Sequence, residues 1–250
     1  MSDLTVTMIR CSTLLLEWSG VRLLTDPWFR MQLRGIPCLR RPGLDPEQVG
    51  ALNAVLVSHL HPDHYDRRAI ARLQPQPERV LLPPGALERL GQAVGPGWTE
   101  LPLWSETEFD GIKVWSVPGP HTLPGPEEIN FVLELGEWGR VFFGGDARFH
   151  GPTLTEIGRR FAPFKLALLP VGGTLILGRR TVMSPDQAQR ASRLLEAETV
   201  IPIHEGGIWL SLPPLSWHPG RARHLADLAA LLGHPRTVHI LAEGESVELA

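Results

Sequence analysis

Cysteine is scarce: Cys11 and Cys38 are the only two in 250 residues. That excludes a disulfide framework and a four-cysteine zinc ribbon. Lysine is just as scarce. Lys113 and Lys165 stand alone, and arginine carries the positive charge. With a net charge of −3 and no basic run, the chain lacks the clustered cations that a phosphate backbone needs. No nucleic-acid partner is expected. Long apolar runs are missing as well. None approaches the roughly 20 residues that cross a bilayer, so no transmembrane segment is expected. The opening Met1-Ser2-Asp3-Leu4-Thr5 lacks the basic-then-apolar pattern of a secretory signal. The expectation is a cytoplasmic protein, and self-association into a homo-oligomer is left open.

What is present is ordinary for a soluble globular chain. Apolar residues make up 43% and charged residues 20%, enough to build a core and keep a solvated surface. The length suits one domain over residues 1–250. Strand-like runs occur at residues 4–9, 13–18, 21–25, 54–57, 79–82, 107–109, 112–117, 130–135, 140–143, 166–169, 200–203, 238–241 and 246–249. Helical signals cover residues 67–73, 86–91, 153–161, 185–196 and 222–232. Strands thus come in two similar groups, each with its own helices. That order predicts two mixed sheets packed face to face with helices on the outer faces. Residues 30–50, rich in Pro, Gly and Arg, read as an extended loop that could cover a site.

The chemistry concentrates in Ser58-His59-Leu60-His61-Pro62-Asp63-His64-Tyr65-Asp66. Three histidines and an aspartate fall within six residues, and imidazole and carboxylate are ligands that zinc prefers. The run lies between a buried strand and a helix that Asp66 caps. Alternate spacing lets His59 and His61 point to one side, while Asp63 and His64 turn back from the helix start. Three further candidates follow apolar runs: His121, Asp146 after Gly144-Gly145, and His204. Asp26, in Thr25-Asp26-Pro27, also ends a strand, where α/β proteins keep polar site residues.

In order and spacing, the set His59, His61, Asp63, His64, His121, Asp146 and His204 resembles the metallo-β-lactamase superfamily. Ile9-Arg10-Cys11-Ser12-Thr13, Leu24-Thr25-Asp26-Pro27, Ala167-Leu168-Leu169-Pro170-Val171-Gly172-Gly173 and Ile201-Pro202-Ile203-His204 narrow the likeness. They resemble the branch with ascorbate-6-phosphate lactonases and the phospholipase D that cleaves N-acyl-phosphatidylethanolamine. The resemblance implies a four-layer αβ/βα sandwich with a dinuclear metal site at one edge. It implies that His59, His61 and His121 hold one divalent ion, and that Asp63, His64 and His204 hold the second. It implies that Asp146 bridges both. Zinc is the usual occupant in such proteins; manganese and iron(II) occur in relatives. Three positions depart from the branch: Cys11 replaces a histidine, Ala147-Arg148 follows Asp146, and Glu205-Gly206 follows His204.

The expected activity is metal-dependent hydrolysis of a phosphodiester, lactone or other ester in a small molecule. A hydroxide shared by the two ions would attack, with Asp63 and Asp146 in the catalytic machinery. Asp26 and Arg148 are the residues expected at the substrate, Arg148 because guanidinium pairs well with phosphate and carboxylate. Two rivals remain at this level. One is di-iron redox chemistry, against which His61 argues, because oxygen-reducing relatives tend to carry a carboxylate there. The other is a non-catalytic metal-binding module, whose signature would be a lost ligand.

Overall fold

The computed structural model describes residues 2–91, 94–120, 128–208 and 210–250. Two seven-stranded mixed sheets face each other. In the first, Leu4–Arg10, Thr13–Trp18 and Val21–Thr25 form an antiparallel meander. The C-terminal strand Ser246–Leu249 closes its outer edge beside Leu4–Arg10. The sheet then continues in parallel through Ala54–Leu56, Arg79–Leu82 and Trp98–Glu100. The second sheet repeats the plan. Glu106–Phe109, Ile112–Pro118, Ile129–Glu134 and Arg140–Phe143 run antiparallel. Leu166–Pro170, Thr199–Ile203 and Thr237–Val238 follow in parallel.

Side-chain alternation explains the layers. Successive residues of a strand face opposite sides. Leu23, Leu56, Leu81, Phe131, Phe143, Leu168 and Ile201 point between the sheets and share one core. Their neighbours point outward. Leu24, Val55, Val80 and Leu82 pack with Ala69 and Ile70 of helix α1 (Arg67–Arg72) and Ala86 of α2 (Ala86–Leu90). Phe142, Ala167, Leu169 and Val200 pack under α3 (Gly151–Phe161), α4 (Pro185–Leu194) and α5 (Ala222–Leu232). With both faces covered, these strands read as continuous apolar runs rather than alternating ones. The result is the four-layer αβ/βα sandwich of the sequence expectation.

Shorter elements escaped the sequence reading. Residues 30–50 hold a hairpin, Gln32–Leu33 with Ile36–Pro37, and a 3-10 turn at Pro46–Gln48. A three-stranded sheet joins Leu175–Ile176, Arg179–Arg180 and Ser216–Trp217. Strands of two residues are too short to show a period. Both small sheets stand over the same edge of the sandwich, as the metal-site geometry shows.

Candidate metal centre

The site lies where both sheets end. Asp26 follows Val21–Thr25, and Ser58 and His59 follow Ala54–Leu56. Asp146 follows Arg140–Phe143, and His204 follows Thr199–Ile203. Backbone bonds lock the two edges together: His204 N–H donates to Cys11 O at 3.1 Å and Ile129 N–H to Ser58 O at 3.1 Å. The turn into the site is tight. Asp26 (φ 36°), Cys11 (φ 53°) and His204 (φ 48°) adopt left-handed backbone that side chains ordinarily avoid, and such strain clusters at functional sites. Gly145 shares it at φ 52°, and a Cβ there would stand 3.0 Å from Ser58 Oγ. Glycine therefore lets Asp146 approach the His59 loop.

Four side chains of the loop meet two from the far sheet. His59 Nε2 lies 2.8 Å from His61 Nδ1, slightly short of the roughly 3.3 Å that two nitrogens keep on one tetrahedral zinc. Asp146 Oδ1 is 3.8 Å from His59 Nε2, and its Oδ2 is 3.7 Å from His64 Nε2. Asp63 Oδ2 is 3.8 Å from both His64 Nε2 and His204 Nε2. Two groups have the spacing of a metal site: His59, His64 and Asp146, and Asp63, His64 and His204. His121 lies outside the described residues.

A buried carboxylate stands behind this set. Asp26 has no exposed surface. Its Oδ1 accepts from Ser58 N–H at 2.7 Å; its Oδ2 accepts from Ser58 Oγ–H and His64 Nδ1–H, each at 2.7 Å. With that hydroxyl proton on Asp26, Ser58 Oγ accepts from His59 Nδ1–H at 3.0 Å. Each imidazole then directs Nε2 into the centre, the atom a metal would take once its proton leaves. His64 Nε2 is buried and hydrogen-bonds none of the described residues. A buried ring nitrogen facing two carboxylates across about 3.7 Å is what a cation between them would satisfy, so the residues present fit a metal.

The expectation that Asp26 contacts substrate is corrected: its carboxylate is consumed by Ser58 and His64 and has no open face. Arg148 does not line the cavity over the centre. Its charge instead reaches Glu128, whose carboxyl burial and Asp146 push well upward while Arg148 pulls it down. Glu205 caps α5 through Ala222 N–H and pairs with Arg40. His150 caps α3 by accepting from Thr153 N–H. Tyr65 packs edge-on against Trp98.

A cavity of about 320 Å³ opens above His61, Asp63, Asp146 and His204. Its walls come from small elements too short to show a period in the sequence. Leu33, Arg34 and Ile36 descend from the 32–37 hairpin, and Ile176, Leu212 and Leu215 from the three-stranded sheet side. His218, whose Nδ1 is 3.1 Å from Thr174 Oγ1, completes the wall. Neither Glu128 nor His218 carried a sequence signal, because each joins the site only through tertiary packing.

A family model described as a beta-lactamase superfamily domain matches residues 21–204. The chain belongs to the beta-lactamase superfamily. Within this superfamily it is 30% identical over 214 residues to a UPF0173 metal-dependent hydrolase of Rubrobacter xylanophilus, covering 80% of this chain and 81% of that one. It is 29% identical over 230 residues to an N-acyl-phosphatidylethanolamine-hydrolyzing phospholipase D of Caenorhabditis elegans. That match covers 82% of this chain but spans only 64% of the phospholipase. Among solved structures, an isothiocyanate hydrolase from Delia radicum gut bacteria shares the fold, with a TM-score of 0.77 at 19% identity over 97% of this chain and 98% of that one.

Charges in this superfamily member are arranged to hold cations. Burial lowers His64, but Asp146, Asp26 and Asp63 outweigh it and raise the imidazole to about 9. Burial raises Asp63, but His204 and His64 hold it far below the usual carboxylate range. In the metal-free protein, the raised His64 stabilises the fold below about pH 6.5, and that contribution fades as pH rises through about 9. The depressed Asp63 stabilises above its ordinary 3.8 and loses that contribution in stronger acid. A metal must displace the His64 proton. Zinc affinity of stripped protein is therefore expected to climb about tenfold per pH unit from neutrality to about pH 9. Chelator-competition titrations at several pH values check this; a flat profile would remove His64 from the centre.

Proposed function

We propose that this protein is a metal-dependent hydrolase of a small-molecule ester, lactone or phosphodiester, built on two divalent ions. His59, His61 and His121 would hold one ion, Asp63, His64 and His204 the other, and Asp146 would face both. The observation that carries this reading is Asp146: its two oxygens face His59 and His64 separately, at 3.8 and 3.7 Å. The nitrogen-rich donor set favours zinc, with manganese or iron(II) as substitutes. Such a pair of ions supplies a nucleophile from water near neutral pH and polarises the scissile bond.

The chain's own residues do the rest. With metal bound, Asp26 and Ser58 would hold His59 and His64 in the tautomer that gives Nε2 to the ion. The apolar wall of Leu33, Ile36, Ile176, Leu212 and Leu215 fits an apolar substituent of the substrate. Asp63, kept anionic by His204 and His64, would serve as a charged ligand and as a hydrogen-bond acceptor for the attacking water. Arg34, at the tip of the 32–37 hairpin, is exposed and has no carboxylate partner among the described residues. Burial and the positive charges of His64 and Arg34 hold His61 below its ordinary value, against the pull of Asp146 and Asp63, so the guanidinium stands close to the centre. Arg34 takes the anion-recognising role that the sequence assigned to Arg148.

A panel of phosphodiesters, lactones and thioesters, run with zinc, manganese and iron, tests the reading. Turnover of one class that depends on added metal supports it. Metal-loaded protein that turns over nothing, or His61→Ala with full metal content and full activity, overturns it. Once a substrate is found, Arg34→Ala is expected to lower kcat/KM for an anionic ester about tenfold relative to a neutral analogue with the same leaving group. An unchanged ratio would take Arg34 out of substrate recognition.

A further inference from the structure

Three segments ring the mouth of the cavity: residues 30–41, 175–180 and 210–217. They are continuous in space. Leu175–Ile176 pairs with Ser216–Trp217, Leu177 N–H donates to Leu215 O, and Leu39 N–H donates to Ile208 O. Ten large apolar side chains are exposed among the described residues, and seven of them stand on these segments. Leu177 is 71% exposed, Leu39 and Leu215 61% each, and Trp217 53%. A soluble chain rarely leaves such a patch open unless something covers it.

The charge on the same rim is of one sign. In a protein of net charge −3, these three segments contain no aspartate or glutamate and six arginines. Arg30 is neutralised by Asp66, and Arg40 by Glu205 and Glu243. Arg34, Arg41 and Arg179 are exposed and ion-pair with none of the described residues. A second copy of the chain fits this surface poorly. A two-fold interface would set arginines against arginines with no carboxylate on the patch to separate them. Leucines at hairpin tips, a half-exposed tryptophan and unpaired arginines are instead the combination that suits an anionic lipid interface. Leucine enters the acyl region, tryptophan sits at headgroup level, and arginine meets phosphate.

We propose that this rim docks on an anionic lipid surface, with Leu39, Leu177, Leu215 and Trp217 at the interface and Arg34, Arg41 and Arg179 on the headgroups. The cavity then opens directly onto the lipid, and an amphiphile can pass from one to the other without crossing water. Docking does not depend on the hydrolase reading, and its test needs no substrate.

The test is co-sedimentation of the full chain with vesicles of phosphatidylcholine alone, and of phosphatidylcholine and phosphatidylglycerol in equal parts. Binding is expected on the mixed vesicles, weaker on the neutral ones and reduced by salt. Leu177→Asp with Trp217→Asp is expected to abolish it. Both side chains are more than half exposed, so the melting temperature and metal content serve as checks that the fold survives. Arg34→Glu with Arg179→Glu is expected to weaken binding to the mixed vesicles by at least about fivefold per arginine and to remove the preference for them. Absence of binding to either vesicle, or binding that neither pair of substitutions changes, would overturn the proposal. So would a dimer by light scattering that Leu177→Asp with Trp217→Asp converts to monomer, because the patch would then belong to a second copy.

Discussion

Asp146→Ala is expected to lower kcat by about a thousandfold or more, with the protein still folded. The reason is its position. The carboxylate is nearly buried, and its two oxygens reach towards different histidines, His59 and His64. His64 is the side chain the two groups share, and Asp146 reaches it from the His59 side. Removing it takes the only carboxylate from the group of His59, His64 and Asp146, so metal content should fall along with turnover. Metal-free stability is expected to change little, because two effects oppose. Asp146 forces Glu128 upward and opposes the low value of Asp63, so its loss relieves repulsion between buried carboxyls, but it also removes the largest attraction that raises His64. Three measurements on one variant separate the cases: metal per chain, turnover of whichever substrate the panel yields, and the melting temperature after chelation. Full turnover with wild-type metal content would end the two-ion reading, whatever else the protein hydrolyses.

Asp26→Asn should do its damage without touching the centre. Asp26 accepts three short hydrogen bonds, two of them on Oδ2 from Ser58 Oγ–H and His64 Nδ1–H. An amide can offer an oxygen at one position only. With that oxygen kept on Ser58 N–H, the amide NH2 points at two donors. His64 must then accept at Nδ1 and carry its proton on Nε2, the atom aimed at Asp63 and Asp146. Metal affinity is expected to drop 10- to 100-fold, as roughly follows when an orienting partner of a metal-bound histidine is lost. Asp26→Ala is expected to cost stability as well, about 3–5 kcal/mol, because it strands a buried imidazole that its neighbours hold positive. Burial also raises Asp26 itself, with His64 opposing, so the asparagine variant escapes the cost of a buried charge and should melt closer to wild type than the alanine variant. Wild-type zinc affinity in Asp26→Asn would mean that His64 is oriented by something other than this carboxylate.

The two variants also separate what could be read along the chain from what could not. Thr25-Asp26-Pro27 marked Asp26 as a residue at a strand end, and strand ends are where site residues gather. Whether it faced the solvent or the interior depended on Ser58 and His64, 32 and 38 positions later. Arg148 depends on packing in the same way. It lies two residues from Asp146 in sequence but is absent from the cavity lining, and its charge is felt at Glu128. Residues 30–50 were legible as a segment that could cover a site. Their hairpin was not, because two-residue strands are held by the turn at Arg34-Gly35 and not by any apolar period.

Local chemistry was thus decided by the sequence alone. His59, His61, Asp63 and His64 lie so close along the chain that nearly any strand-to-helix loop brings them together, and the apolar runs of the two halves are long enough to declare two covered sheets. The tertiary structure decided everything that needs distant segments to meet. It brought Asp146 and His204 to that loop, put Asp26 behind it, and built the cavity from Arg34, Ile176, Leu215 and His218. It also gathered the exposed leucines and unpaired arginines of three separate segments around one opening. Ligand type follows from nearest neighbours in the chain. The surface that chooses what reaches the ligands follows from how the two sheet edges pack, and no single stretch of residues contains it.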